Sequence, residues 1–147
     1  MGSHRYSMWI AAPPECVYDL YTDLHRVGEW QEGNPTITDV SGDADRAGAA
    51  YTVRRGRAAS RSEVTVAERP TRQVVRIDGP LGLRAEITSL FTPEGNGTRL
   101  TIALQTEWRF APLGRVLEWV IFNPRIGRRE LGKLKVIAER EVRDKTA

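Results

Sequence analysis

The strongest constraint in this chain is the order of three local patterns. A helix-start signal, Ala12-Pro-Pro-Glu-Cys-Val-Tyr-Asp-Leu-Tyr-Thr-Asp23, comes first and Trp30 follows soon after. A run of short alternating segments separated by Gly and Pro turns fills the middle. One long amphipathic segment runs from Pro112 to the end. A single helix cannot fill a strongly curved sheet of that extent, so the order predicts a pocket between the two.

The local signals are specific. Arg5 to Ile10 reads as a strand with Tyr6, Met8 and Ile10 on one face. Pro13 and Pro14 suit a first helical turn, where a missing N–H costs nothing, and Glu15 favours the positive end of the helix. Val17, Leu20, Tyr21 and Leu24 follow at helical spacing, and Asp23 can cap a second short helix ending at Gly28. In the middle, Ile37 to Val40 is a weak strand. Tyr51, Val53 and Arg55 share a face, as do Ser62, Val64 and Val66, and then Val75 and Ile77. Leu83, Ala85, Ile87, Ser89 and Phe91 alternate with polar neighbours, and so do Leu100, Ile102, Leu104, Thr106 and Trp108. Period-2 alternation with one wet face belongs to antiparallel sheets.

From Pro112, the positions Leu113, Leu117, Val120, Pro124, Gly127, Leu131, Leu134 and Ala138 form one helical stripe. Pro124 should kink the axis. Gly127 puts no side chain where a core residue is expected. It either relieves crowding or marks a bend that leaves a void.

The four blocks together, Ala12 to Leu20, Thr22-Asp23 with Trp30, Gly97-Thr98-Arg99-Leu100, and Leu131-Gly-Lys-Leu-Lys-Val-Ile-Ala-Glu139, resemble the START-like (SRPBCC) superfamily of polyketide cyclase/dehydrase and lipid-transfer-like proteins. The likeness runs from about Tyr6 to Arg140. It implies an α+β helix-grip fold: a curved seven-stranded antiparallel sheet wrapped around a long C-terminal helix over a deep pocket, with two short helices after the first strand. It also implies an apolar or aromatic, polyketide- or lipid-like ligand. Some members cyclise or dehydrate polyketide chains, and others have no known activity.

Length and composition agree with one domain over residues 5–143. Residues 1–4 read as a tag remnant or frayed tip. Cys16 is the only cysteine, so no intrachain disulfide forms, and without a secretory leader or an apolar run of membrane length the expected location is cytoplasmic. The net charge of +3 is uneven: residues 111–147 carry nine Lys/Arg against five Asp/Glu. This is a solvated helix face or, as an alternative, the contact surface, Arg125 to Lys145, of a quinone- or lipid-binding interaction module. No aromatic residues interleave with Arg128 to Lys145, which argues against nucleic acid. The protein would act as a monomer or homodimer.

Most catalytic signatures are absent. There is no Gly-x-Ser-x-Gly elbow, Cys-x-x-Cys or His-Glu-x-x-His, so no metal or other cofactor is expected. Chemistry, if any, falls to polar groups on the inward faces. Tyr51 and Arg55 are the catalytic candidates: Tyr51 would donate to a carbonyl, and Arg55 is either a rim arginine or the group that pins a carboxylate or enolate. Trp30, Val53, Val66, Ile87, Ser89, Leu104, Thr106, Trp108, Val120, Asn123 and Gly127 are the ligand-binding candidates. No general base stands out, because Glu86 and Glu107 fall on the outward parity. The chain therefore reads as a carrier or as a cofactor-independent cyclase/dehydratase.

Overall fold

A computed structural model describes residues 2–109 and 124–146. Its strands are β1 (Gly2–Ile10), β2 (Thr36–Ser41), β3 (Ala50–Arg55), β4 (Ala58–Glu68), β5 (Arg72–Asp78), β6 (Leu83–Glu94) and β7 (Gly97–Trp108). They form one antiparallel seven-stranded sheet in the order β1-β7-β6-β5-β4-β3-β2. Helix α1 (Pro14–Thr22) follows β1, and helix α2 (Pro124–Thr146) closes the chain. This is the helix-grip α+β architecture: a curved open sheet with the C-terminal helix against it.

Cross-strand register puts the alternating residues into inward rows. Tyr6 faces Ile102, which faces Ser89, which faces Gln73. The next row is Leu104, Ile87, Val75 and Val64, and the third is Thr106, Ala85, Ile77, Ser62 and Tyr51. A β-bulge between Val64 and Val66 breaks this parity on β4. Val64 pairs with Val75, whereas Val66 pairs with Val74 and so joins Thr88 on the opposite face. The extra residue shifts every later side chain by one, so the strict alternation expected through Val66 fails there.

Three boundaries also differ from expectation. β1 starts at Gly2, because Gly2 to His4 continue the ladder opposite Thr106 to Leu104. The second short helix is a single 3-10 turn, Val27–Glu29. Asp23 does not cap it: the residue before the turn is Arg26, without a side-chain cap, and the Asp23 Oδ1 instead accepts the His25 N–H at 3.0 Å in the preceding turn. β2 pairs with β3 over Thr36 to Thr38, then shifts register towards Ser41, where Asp39 sits at φ 52. The expected helical stretch from Pro112 through Leu113, Leu117 and Val120 lies outside the described residues, as does Asn123.

The core joins α1, β1, β6, β7 and α2. Ile10, Val17, Tyr18, Leu20, Phe91, Leu100, Ile102, Leu131, Leu134 and Ala138 pack as one cluster. Tyr18 meets Phe91 edge-on at 5.0 Å. The stripe Gly127, Leu131, Leu134 and Ala138 is the buried face of α2, as its spacing required. Its outer turns are tied down as well. Lys135 Nζ donates to the Trp9 carbonyl at 3.1 Å and to Glu139 at 2.6 Å, and Glu139 accepts the Ala11 N–H at 2.9 Å. Thr98 Oγ1 donates to the Ala12 carbonyl at 2.7 Å, fixing the approach to α1.

Gly127 owes its place to close approach. A Cβ there would sit 2.6 Å from Tyr6 Oη and 2.8 Å from the same ring's Cε1. Of the two roles expected of this glycine, relief of crowding is met by the β1 tyrosine ring, while the cavity described below opens beside it. Gly127→Ala should therefore lower stability by about 1–3 kcal/mol, the usual cost of overpacking, read by urea unfolding. Leu134→Ala, which opens a cavity instead, should cost about 2–5 kcal/mol. A Gly127→Ala protein as stable as the parent would contradict the Tyr6 contact.

Candidate functional site

Beneath the first described turns of α2 lies a cavity of about 390 Å³. Its floor is the inward rows of the sheet: Tyr6 and Ile102, then Leu104, Ile87 and Val75, then Ile77 and Tyr51. Its roof is Ile126, Gly127, Glu130 and Leu131 of α2. Its side is Tyr21, Leu24, Val27 and Trp30, and a short loop, Gln31–Gly33, borders the mouth beside Arg55. The walls are mainly apolar, with a small set of polar groups. This combination is typical of small-molecule sites.

Trp30 is 4% exposed, stacks on Tyr21 at 5.3 Å, and has an indole N–H without a hydrogen-bond partner. Ser89 lies behind the wall: fully buried, its Oγ donates to Tyr21 Oη at 2.8 Å and fixes that ring. Tyr51 stands opposite Ser62 of β4, and burial pushes its phenol pKa upward. Burial also raises Tyr21, and raises Tyr6 to about 12 with help from the nearby Glu130 charge. All three phenols therefore stay protonated across the physiological range and can donate.

Glu130 is the group that sequence reasoning missed. It lies half-buried on α2 at the cavity wall, and its Oε2 accepts the Glu32 N–H at 2.9 Å. Burial raises its pKa, only partly offset by the Glu32 N–H bond and by the Arg55 charge. The signal was present: Gly127, Glu130 and Leu134 follow at i, i+3 and i+7, so Glu130 shares the buried stripe. Tyr6 and Tyr21 were likewise legible as inward residues but not as cavity walls.

Arg55 reaches the mouth from the end of β3. Its Nε donates to the Glu32 carbonyl at 3.2 Å and its Nη2 to Gln31 Oε1. On the other side, the Glu32 carboxylate meets Lys133 at 3.2 Å and Arg129 at 3.7 Å. The Gln31–Gly33 loop is thus tied to both the sheet and α2.

Of the predicted site residues, the structure brings Trp30, Tyr51, Arg55, Ile87, Leu104 and Gly127 to this cavity. Ser89 supports it from behind. Val53 pairs with Ile37 at the sheet's edge and does not line it, and the bulge removes Val66. Thr106 and Trp108 sit further along the sheet, Trp108 in a second cluster with Leu83, Ala85 and Leu104, and Thr106 Oγ1 and Trp108 Nε1 are buried without partners. Val120 and Asn123 lie outside the described residues. Among those described, no group of His, Cys, Asp and Glu could hold a metal, and no helix is long and apolar enough to cross a membrane.

A curved sheet gripping a terminal helix above an apolar cavity defines the SRPBCC class of helix-grip proteins. Residues 1–139 match the polyketide cyclase/dehydrase and lipid transport family, and the chain belongs to it. No curated protein matches the sequence. Solved structures share the fold at low identity. Protein MLL2253 from Mesorhizobium loti aligns with a TM-score of 0.72 and 17% identity over 95% of this chain and 98% of that one. Protein CV1439 from Chromobacterium violaceum gives 0.69 and 20% over 93% and 96%. The Aha1 dimer from Colwellia psychrerythraea gives 0.64 and 18% over 95% and 97%.

The raised Glu130 pKa predicts a pH effect. The folded protein binds this proton more tightly than the unfolded chain does. The group therefore favours folding at acid pH and loses that contribution as pH rises through its native pKa. Glu130→Gln, which can still accept the Glu32 N–H, should gain stability relative to the parent as pH rises from 4 to 8. Parallel melting curves for the two proteins across that range would contradict the assignment.

Proposed function

We propose that this protein binds an apolar or aromatic small molecule, polyketide- or lipid-like, in the cavity between the sheet and α2. The observation that carries the reading is the cavity itself: about 390 Å³, walled mostly by apolar side chains, with Tyr6, Tyr21, Tyr51, Arg55 and Glu130 among its polar groups. That volume lies within the roughly 300–1,000 Å³ typical of ligand pockets. Family membership is consistent with it. Trp30 and the Tyr21 ring stacked on it offer an aromatic face to a flat ligand.

A second reading, cofactor-independent cyclase or dehydratase chemistry, is favoured by Glu130. It supplies the acid–base group that the inward strand faces lack, and the protonated Tyr6 and Tyr51 phenols stand along the same cavity to stabilise a developing oxyanion. A basic docking face on α2 is less well supported, since Lys133 and Arg129 are drawn to Glu32 and Lys135 to Glu139 and the Trp9 carbonyl.

Two measurements test the binding reading. Native mass spectrometry of freshly purified protein should detect a copurifying small molecule. A neutral polycyclic probe such as 2-aminoanthracene should quench Trp30 fluorescence, and Ile87→Trp, which fills the floor, should weaken it at least tenfold, about 1.4 kcal/mol. Thr88→Trp, on the other face of the same strand, should leave the affinity unchanged. Equal affinities in the two variants would remove the cavity as the binding site.

A further inference from the structure

Arg55 is the arginine that lines the cavity among the described residues, and its charge is met there without an ion pair. Arg26, Arg69, Arg72, Arg99 and Arg129 each make an ion pair. Arg55 makes none among the described residues. Its two hydrogen bonds go to neutral acceptors, the Glu32 carbonyl and the Gln31 side-chain oxygen. The nearest carboxylate of the loop, Glu32, is instead drawn to Lys133 and Arg129.

The guanidinium is nonetheless held in place. Its stem crosses Gly33, where a Cβ would lie 3.2 Å from Arg55 Cδ, and that glycine adopts φ +81, a conformation other residues rarely take. With Nε and Nη2 anchored, Nη1 keeps its donors for something else. The loop therefore orients this cation at the cavity without neutralising it.

The other charged group in the cavity does not fill that role. Glu130 accepts the Glu32 N–H, burial raises its pKa, and although the Arg55 charge acts on it from a distance, it makes no ion pair with Arg55. The remaining titratable side chains of the wall are Tyr6, Tyr21 and Tyr51, held neutral with pKa values raised by burial, together with Glu32 at the mouth. An incoming ligand thus meets apolar walls, protonated phenols and one oriented guanidinium that makes no ion pair among the described residues. A planar monoanion is the best complement to a guanidinium fork, because two parallel N–H···O bonds satisfy both groups.

We propose that the cavity selects ligands whose apolar or aromatic body ends in a carboxylate, with Arg55 as the counter-ion at the mouth. This rests on the cavity-binding reading above and adds the chemistry of the ligand's head. It makes Arg55 a specificity-determining residue: the apolar walls supply most of the affinity, and the arginine decides which head group is accepted.

Two probes of equal shape separate the two readings: 2-naphthoate, a carboxylate, and 2-naphthamide, its neutral isostere. Dissociation constants at pH 7.5 come from Trp30 quenching and calorimetry. The parent protein should bind naphthoate at least about tenfold more tightly than naphthamide. Arg55→Gln should bring the two within about twofold by weakening naphthoate alone. Arg54→Gln, on the opposite face of β3, should keep the full preference. Equal binding of both probes by the parent, or a preference that survives Arg55→Gln, would overturn the assignment of Arg55 while leaving the cavity as a binding site. If neither probe binds, the cavity reading fails and this inference fails with it.

Discussion

The position of α2 depends on one backbone-to-ring contact. Because Gly127 has no side chain, the helix comes down onto the Tyr6 ring of β1, and Leu131, Leu134 and Ala138 follow into the core shared with α1 and β7. Dense packing there excludes water and makes the interior intolerant of added volume. The same contact sets where packing stops. The helix is committed to the β1 side of the sheet, and β3, β5 and β6 carry Tyr51, Ile77, Val75 and Ile87 onto the cavity floor.

Polar groups enter this space from several separate segments, and most arrive already held. Tyr21 comes from α1 and is fixed by Ser89; Tyr51 comes from β3, opposite Ser62 of β4. Glu130 comes from α2 and Arg55 from the end of β3, and both bind the same loop residue, Glu32, through its backbone. That loop is the junction of the site. It connects sheet and helix at the mouth and orients the two charged side chains without letting them neutralise each other directly. A cavity with rigid apolar walls and few, well-oriented polar groups achieves selectivity at little cost in conformational entropy on binding.

Much of this was legible residue by residue. Alternation assigned the inward faces of β3, β6 and β7 correctly, and helical spacing assigned Gly127, Leu131, Leu134 and Ala138 to one buried stripe. The failures share one cause: they are non-local. The bulge between Val64 and Val66 is visible only as a mismatch with β5, so period 2 carried Val66 to the wrong face. Gly2 to His4 have no strand signal of their own and are ordered by pairing with β7. Glu130 lay within reach of the pattern, but a carboxylate beside Leu131 looks like the wet edge of a helix until the partner surface is known.

Periodicity and turn chemistry settled which elements form, which side of each is buried, and that a long helix must lie against a sheet, because these follow from spacings of two to four residues. They could not separate buried positions away from the cavity, such as Thr106 and Trp108, from those that line it, such as Tyr6, Ile87 and Glu130. That distinction arose from where the helix rests on the curved sheet. It depends on distances between residues more than a hundred positions apart, and Tyr6 against Gly127 is the pair that decides it.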